Sequence, residues 1–236
     1  FVPAKLADNP HLDREEYEAT LAELDPITRQ QLLDGNWDVR PAGGMFKRER
    51  FEVREVAPDD VTRRVRFWDL AATKPKKGSD PDWTVGTLAY RRRSKRFGIE
   101  HVHRFRGSPE EVQSAVVQTA RMDGRSVAIR IEQEPGSSGK IAIAGFVREL
   151  AGYDVRGVRA TGPKIERARP FSAQSDAGNI ELVRGPWMSN WFDELESFPA
   201  GSHDDQVDSA AGAFAELTTT WGFDEMYAEA DSYAAA

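Results

Sequence analysis

Residues 61–70 read VTRRVRFWDL, residues 83–92 read WTVGTLAYRR and residues 97–105 read FGIEHVHRF. The first is rich in β-formers, and the other two alternate apolar and polar positions as half-buried strands do. Together they predict an antiparallel meander of three strands. Downstream the pattern changes period. Ser108-Pro109-Glu110-Glu111 is a helix start with Pro in its first turn, and it leads into an amphipathic run over 112–122 that closes at Asp123-Gly124. A strand over 127–131, a helix from about 140 to 150, a strand over 155–158 and a helix around 164–172 follow in βαβα order. Gly178-Asn179 then precedes a short strand over 180–183, a Trp-rich helix over 188–197 and a long helix over 205–217. A meander feeding parallel βα units predicts an α/β fold: one mixed sheet with helices on both faces. No internal repeat is visible.

The flanks read differently. Residues 1–50 form a linker-like segment with short polar helices expected around 14–24 and 26–33, and the chain begins as though cut from something longer. Residues 51–220 form the expected folded domain. Residues 221–236 carry acids but no base, and are expected to be a flexible tail. Over the whole chain of 236 residues, 39% hydrophobic residues with 6 Trp and 12 Phe exclude disorder throughout. A net charge of -7 argues against coating nucleic acid by bulk charge, so any such contact must use local patches. With no Cys, thiol nucleophiles, zinc ribbons and disulfide scaffolds are excluded. No apolar run reaches the roughly 20 residues of a membrane span.

Acidic residues stand at element ends. Asp69 closes the apolar strand in RFWDLA, and Glu132 closes another in VAIRIEQE. Strand carboxyl ends are where open α/β sheets place their sites. Glu134 competes with Glu132, since both fall on one face by alternation, but Pro135 marks the strand as ending and favours Glu132. In HDDQVDSAAGAFA, Asp204, Asp205 and Asp208 open a helix, with Asp205 and Asp208 on one helical face. A lone Asp there is ordinarily an N-cap or dipole partner. Three such places, each next to an apolar element leading to one end of the sheet, instead suggest converging carboxylates. Without Cys or ligand-spaced His, these favour a hard cation, Mg²⁺ or Mn²⁺. Two such ions about 4 Å apart can activate water and stabilise a leaving oxygen in phosphodiester cleavage.

EPGSSGKI approaches a P-loop but fails it. Glu134 stands where the first Gly is required, and Ile141 replaces the Ser/Thr that would reach Mg²⁺, so no ATP is expected here.

The succession DNP, LLDGNW, GGMF, FWDLA with SDPDWT, IEQEPGSSGK, GPKIERARP, AGNI and HDDQVDSAAGA resembles the nuclease domain of tailed-phage large terminase subunits, over about residues 1–217. The resemblance implies a ribonuclease H-like fold and divalent-metal endonuclease cleavage of double-stranded DNA during genome packaging. It further implies an upstream packaging ATPase domain, portal and small-subunit partners, and work in the host cytoplasm at the procapsid. By position Asp69 and Glu132 match two metal ligands and Asp208 the late-helix ligand, while Asp205 shares or replaces that role. Asp82 in PDWT matches a supporting acidic position, and His203 is placed to orient an acid or a water. For DNA, the basic cluster Arg91, Arg92, Arg93, Lys95 and Arg96 is expected at a hairpin tip beside the cleft, with Lys140 and with Lys164 and Arg167 as the other phosphate contacts. The alternatives are another ribonuclease H-like nuclease, such as a Holliday-junction resolvase, and a non-catalytic DNA-binding or docking module.

Overall fold

The structure is a computed structural model that describes residues 44–76 and 78–219. The helices expected around 14–24 and 26–33, most of the linker and the acidic tail lie outside the described residues.

A 3-10 turn (Arg48–Arg50) leads into β1 (Glu52–Arg54), followed by the meander β2 (Val61–Asp69), β3 (Thr84–Arg92) and β4 (Phe97–Phe105). Next come α1 (Pro109–Asp123), β5 (Val127–Glu132), α2 (Ser137–Glu149), β6 (Val155–Val158) and α3 (Lys164–Asp176). β7 (Ile180–Val183), α4 (Met188–Ser197) and α5 (Asp205–Thr219) complete the described chain. The seven strands form one sheet in the order β1-β7-β4-β3-β2-β5-β6. β3 alone runs against its neighbours, while β2, β5 and β6 are mutually parallel, as are β4, β7 and β1. The expected mixed sheet is therefore present, with β1 added at one edge. Three residues are too few for β1 to show a period in sequence.

Strand alternation sorts the side chains between two cores. Val65 and Phe67 of β2 and Ala128 of β5 face α3, α4 and α5, in a core that includes Phe171, Trp191, Val207 and Phe214. Trp68, Ile129 and Ile131 point the other way, onto α1 and α2, where Val116, Ala120 and Phe146 receive them. Asp69 shares its parity with Phe67, and Glu132 shares its with Ala128. Both carboxylates thus project on the α5 side, at the carboxyl ends of neighbouring strands.

Local chemistry sets the helix starts. α1 begins with a capping box, the Glu111 N–H donating to Ser108 Oγ (3.4 Å) and the Ser108 N–H donating to Glu111 Oε2 (2.8 Å). α2 starts at Ser137, three residues before the sequence expectation, so Lys140 lies in its first turn. Gly139 permits this, because a Cβ there would collide with the Glu134 carbonyl. α5 is held against the sheet by Ser209, whose hydroxyl donates to the Phe67 carbonyl (2.9 Å) and accepts from the Thr87 N–H (3.2 Å). Gly212 allows the close approach: a Cβ there would meet the Phe67 ring at 2.5 Å. The helix bearing Asp205 and Asp208 is thereby brought onto the strand that ends in Asp69.

Candidate metal centre

Asp69, Glu132, Asp205 and Asp208 converge at one end of the sheet. Asp69 is only partly exposed, and no donor among the described residues bonds its carboxylate. Its pKa is pushed well above the usual carboxylate range, first by burial and then by the negative charges of Glu132, Asp208 and Asp205; Lys164 only partly offsets them. Burial also raises Asp208, against the pull of Arg167 and Lys164. Asp205 is raised by burial and by the charges of Asp82 and Asp204, opposed by the bond it accepts from the Trp83 N–H (3.1 Å) and by His203.

Two cations from α3 lie among these acids. The Arg167 fork donates through Nη1 to Glu132 Oε2 (3.1 Å) and through Nη2 to Asp208 Oδ1 (2.8 Å). Lys164 Nζ reaches Asp204 Oδ1 (2.6 Å) and Asp208 Oδ2 (3.1 Å). Burial opposes its charge, but the hydrogen bonds to Asp204 and Asp208 prevail and hold the ammonium above its ordinary pKa.

The ligand-spaced group among the described residues is a different subset. Asp82, His203 and Asp205 each offer an atom within 4.8 Å of the others. His203 Nδ1 is buried without a hydrogen-bond partner and lies 3.6 Å from Asp205 Oδ2 and 4.0 Å from Asp82 Oδ1, while Nε2 is 2.7 Å from Asp80 Oδ2. Asp82 and His203, which the sequence ranks as supporting, therefore complete a triad with Asp205. Asp205 joins the two groups, since it also contributes to the repulsion felt by Asp69. Carboxylate oxygens in excess, one imidazole, and positions already favoured by side-chain cations fit a hard divalent ion.

The remaining predicted residues divide by position. Glu134 is exposed and follows the end of β5, as the strand's termination at Glu132 requires. Lys140 is exposed on the rim of a hollow of about 480 Å³ that Glu132 also lines. The basic hairpin corrects the sequence reading. Arg92 pairs with Val61 at the start of β2, while Asp69 pairs with Val85, so the tip lies roughly 25 Å from Asp69 at about 3.3 Å per residue. It does not adjoin the acids. Arg92 is bonded to Asp60 (2.7 Å) and Glu181, and Arg96 to Glu52 (2.7 Å) and Glu181; Lys95 takes the left-handed turn position at φ 67°. Arg91 and Arg93 belong to the same distant turn.

Two features escape sequence reading. Arg104 and Arg106 each place a guanidinium 3.8 Å from the Trp83 ring centroid, and Arg106 also binds Asp80. This stack lies directly beside the Asp82–His203–Asp205 group. Its available signal was the two-residue spacing of the arginines, which puts both on one strand face. Arg159 lines the hollows on both sides of Glu132, of about 480 and 520 Å³, with no motif to announce it.

The fold has known relatives. The human cytomegalovirus terminase nuclease domain, in a Mn-soaked, inhibitor-bound structure, superposes with a TM-score of 0.50 at 14% identity, over 67% of this chain and 85% of that one. The large terminase nuclease of thermophilic phage G20c with bound magnesium gives 0.50 at 15%, over 73% and 94%. A complete large terminase from a thermophilic bacteriophage gives 0.55 at 12%, over 90% of this chain but 53% of that one, so this chain spans about half its length. No curated protein matches by sequence. At these identities the likeness shows the fold, which is ribonuclease H-like. No helix among the described residues is long and apolar enough to cross a membrane. The family model for the terminase RNaseH-like domain matches residues 66–217, more than half of the sequence, and the chain belongs to that family.

Proposed function

We propose that this chain is the nuclease part of a large terminase, a divalent-metal-dependent endonuclease that cuts double-stranded DNA during viral genome packaging. The observation that carries the reading is the convergence of Asp69, Glu132, Asp205 and Asp208 at one sheet end, with Asp69 lacking any donor and repelled by the other three. Asp69, Glu132 and Asp208 would hold one Mg²⁺ or Mn²⁺, and Asp205 with Asp82 and His203 would help hold a second. Bound divalent ions supply Lewis-acid polarisation of the phosphodiester and a water acidic enough to attack near neutral pH.

The chain's own residues do the rest. β2 and β5 fix Asp69 and Glu132 on adjacent strands, and Ser209 and Gly212 set α5 against them. His203 is oriented by its bond to Asp80, which leaves Nδ1 directed toward Asp205. Lys140, Lys164 and Arg167 lie where phosphate charge would arrive, and such contacts position a duplex without reading its sequence. In the intact protein, residues 1–50 would connect to a packaging ATPase domain, with portal and small subunit as partners at the procapsid in the host cytoplasm.

Plasmid cleavage with Mn²⁺, Mg²⁺ or EDTA, comparing wild type with Asp69→Ala, tests the reading. Metal-dependent cutting that the variant loses is expected. Undiminished cutting by Asp69→Ala overturns the site, no cutting by wild type favours a non-catalytic DNA-binding module, and preference for four-way junctions over linear duplex favours a junction resolvase.

A further inference from the structure

The buried arginines of this domain are of two kinds. Arg130 is fixed by backbone as well as by acids: it donates to the carbonyls of Ile129 (2.8 Å) and Asp154 (3.0 Å) besides the carboxylates of Asp154 and Glu216. Arg66 likewise donates to the Gly86 carbonyl (2.9 Å) as well as to both oxygens of Asp123. Arg167 has no carbonyl acceptor. Its two bonds go to Glu132 and Asp208, on different elements, and its Nε is buried with no partner at all. Lys164 takes the other oxygen of Asp208 while remaining half exposed. Asp208 thus has one α3 cation on each carboxylate oxygen. The turn that carries both cations follows Gly162, at φ +82°, and Pro163, and Pro170 withholds the N–H that Glu166 would otherwise accept.

A guanidinium held only by carboxylates that a divalent ion would also claim is bound by exchangeable contacts. We infer that Arg167, assisted by Lys164, is a displaceable counter-cation: it neutralises Glu132 and Asp208 until divalent ions bind, and their binding releases it to contact DNA phosphate at the same mouth. This rests on the metal-nuclease reading. Metal affinity would then be that of an exchange, weaker than the carboxylates alone would give, and DNA affinity would rise with metal loading because a freed guanidinium is a strong bidentate phosphate ligand.

The test is calorimetric titration of Mn²⁺ into the metal-stripped chain without DNA, for wild type, Arg167→Gln and Arg167→Lys. Arg167→Gln should bind Mn²⁺ about tenfold tighter, equivalent to ~1.4 kcal/mol. With Ca²⁺ present, it should bind duplex DNA more weakly, with the salt slope reduced by about one. Equal or weaker Mn²⁺ binding by a folded Arg167→Gln makes Arg167 a fixed strut and overturns the inference. If Arg167→Gln does not fold, Arg167→Lys, which keeps the charge but loses the fork, must show partial tightening, and its absence overturns the inference equally. If wild type and variants all fail to bind Mn²⁺, the metal-nuclease reading itself falls, a result distinct from wild-type binding that the variants leave unchanged.

Discussion

Two strand carboxylates at opposite ends of the sheet, Glu181 and Asp69, are treated in opposite ways. Glu181 is fully buried and saturated: Tyr90 Oη donates to it at 2.9 Å, Arg54 Nε at 2.7 Å and Arg92 Nη1 at 3.2 Å, with Arg96 Nη1 at 3.6 Å. Burial and the bond to Glu181 together hold the Tyr90 phenol far above its usual pKa. Asp69 has acids for neighbours and no donor. A saturated buried carboxylate closes a structural network, whereas an unsatisfied one among like charges stores repulsion that a bound cation would relieve. The same residue chemistry therefore serves stability at one end and is available for function at the other. The basic hairpin belongs to the first end, which is why it is an ion-pair network rather than the rim of the acidic cluster.

Exchanging the two carboxylates for neutral residues should separate these roles. Asp69→Asn is expected to lower plasmid cleavage by more than about a thousandfold, over ~4 kcal/mol, yet not to lower the melting temperature of the metal-free protein, because it removes repulsion and no hydrogen bond. A fall in melting temperature alongside lost cleavage would make Asp69 a structural residue. Glu181→Ala should do the reverse. It leaves three guanidinium groups and a phenol without their common acceptor and should cost about 2–4 kcal/mol in urea unfolding, part of it recovered by water at the partly exposed arginines. Cleavage per folded molecule should be unchanged, and a proportional loss would break the division.

Much of this arrangement is legible in the sequence. The period-two runs announce β2, β3 and β4, and a charge closing an apolar run is visible at Asp69 and Glu132 because alternation predicts its face. Pro135 correctly ends β5 before Glu134. What stays hidden depends on partners far away in the chain. Asp82, His203 and Asp205 meet across more than 120 residues, through a loop before β3 and the start of α5. No local spacing encodes that meeting, nor the commitment of Arg92 to Asp60 and Glu181. The hairpin was misplaced for a related reason: its charge is read from composition, whereas its distance from Asp69 follows from the antiparallel register.

A smaller change can move one region and spare the other. Gly212→Ala introduces a methyl that meets the Phe67 ring at 2.5 Å. Phe67 is buried between α5 and β2 and cannot swing away freely, so overpacking of about 1–3 kcal/mol is expected. Because α5 carries Asp205 and Asp208, the displacement should also weaken Mn²⁺ binding, while the Glu181 network stays intact. Loss of stability with unchanged Mn²⁺ affinity would show that the contact sets packing alone.

The smallest expected effect lies on the opposite face of the sheet, at His101 and His103 on β4. Burial lowers both pKa values below the usual 6.5, the Arg66 charge lowers them further, and Asp123 pulls the other way. Arg66 Nη1 lies 3.2 Å from His101 Nδ1; as Arg has only protons to give, that nitrogen must be the acceptor, so protonating it there breaks a bond. The folded state favours the neutral rings. The stability they contribute is complete above pH 6.5 and is lost as pH falls through the depressed folded values, since the unfolded chain takes up protons first. The urea midpoint should accordingly hold steady from pH 8 to about 7 and decline below about 6.5. A His101→Gln, His103→Gln double variant should show a shallower decline. An equally steep one would assign the acid sensitivity to carboxylates such as Asp154, whose pKa the Arg130 guanidinium lowers, and not to the β4 histidines.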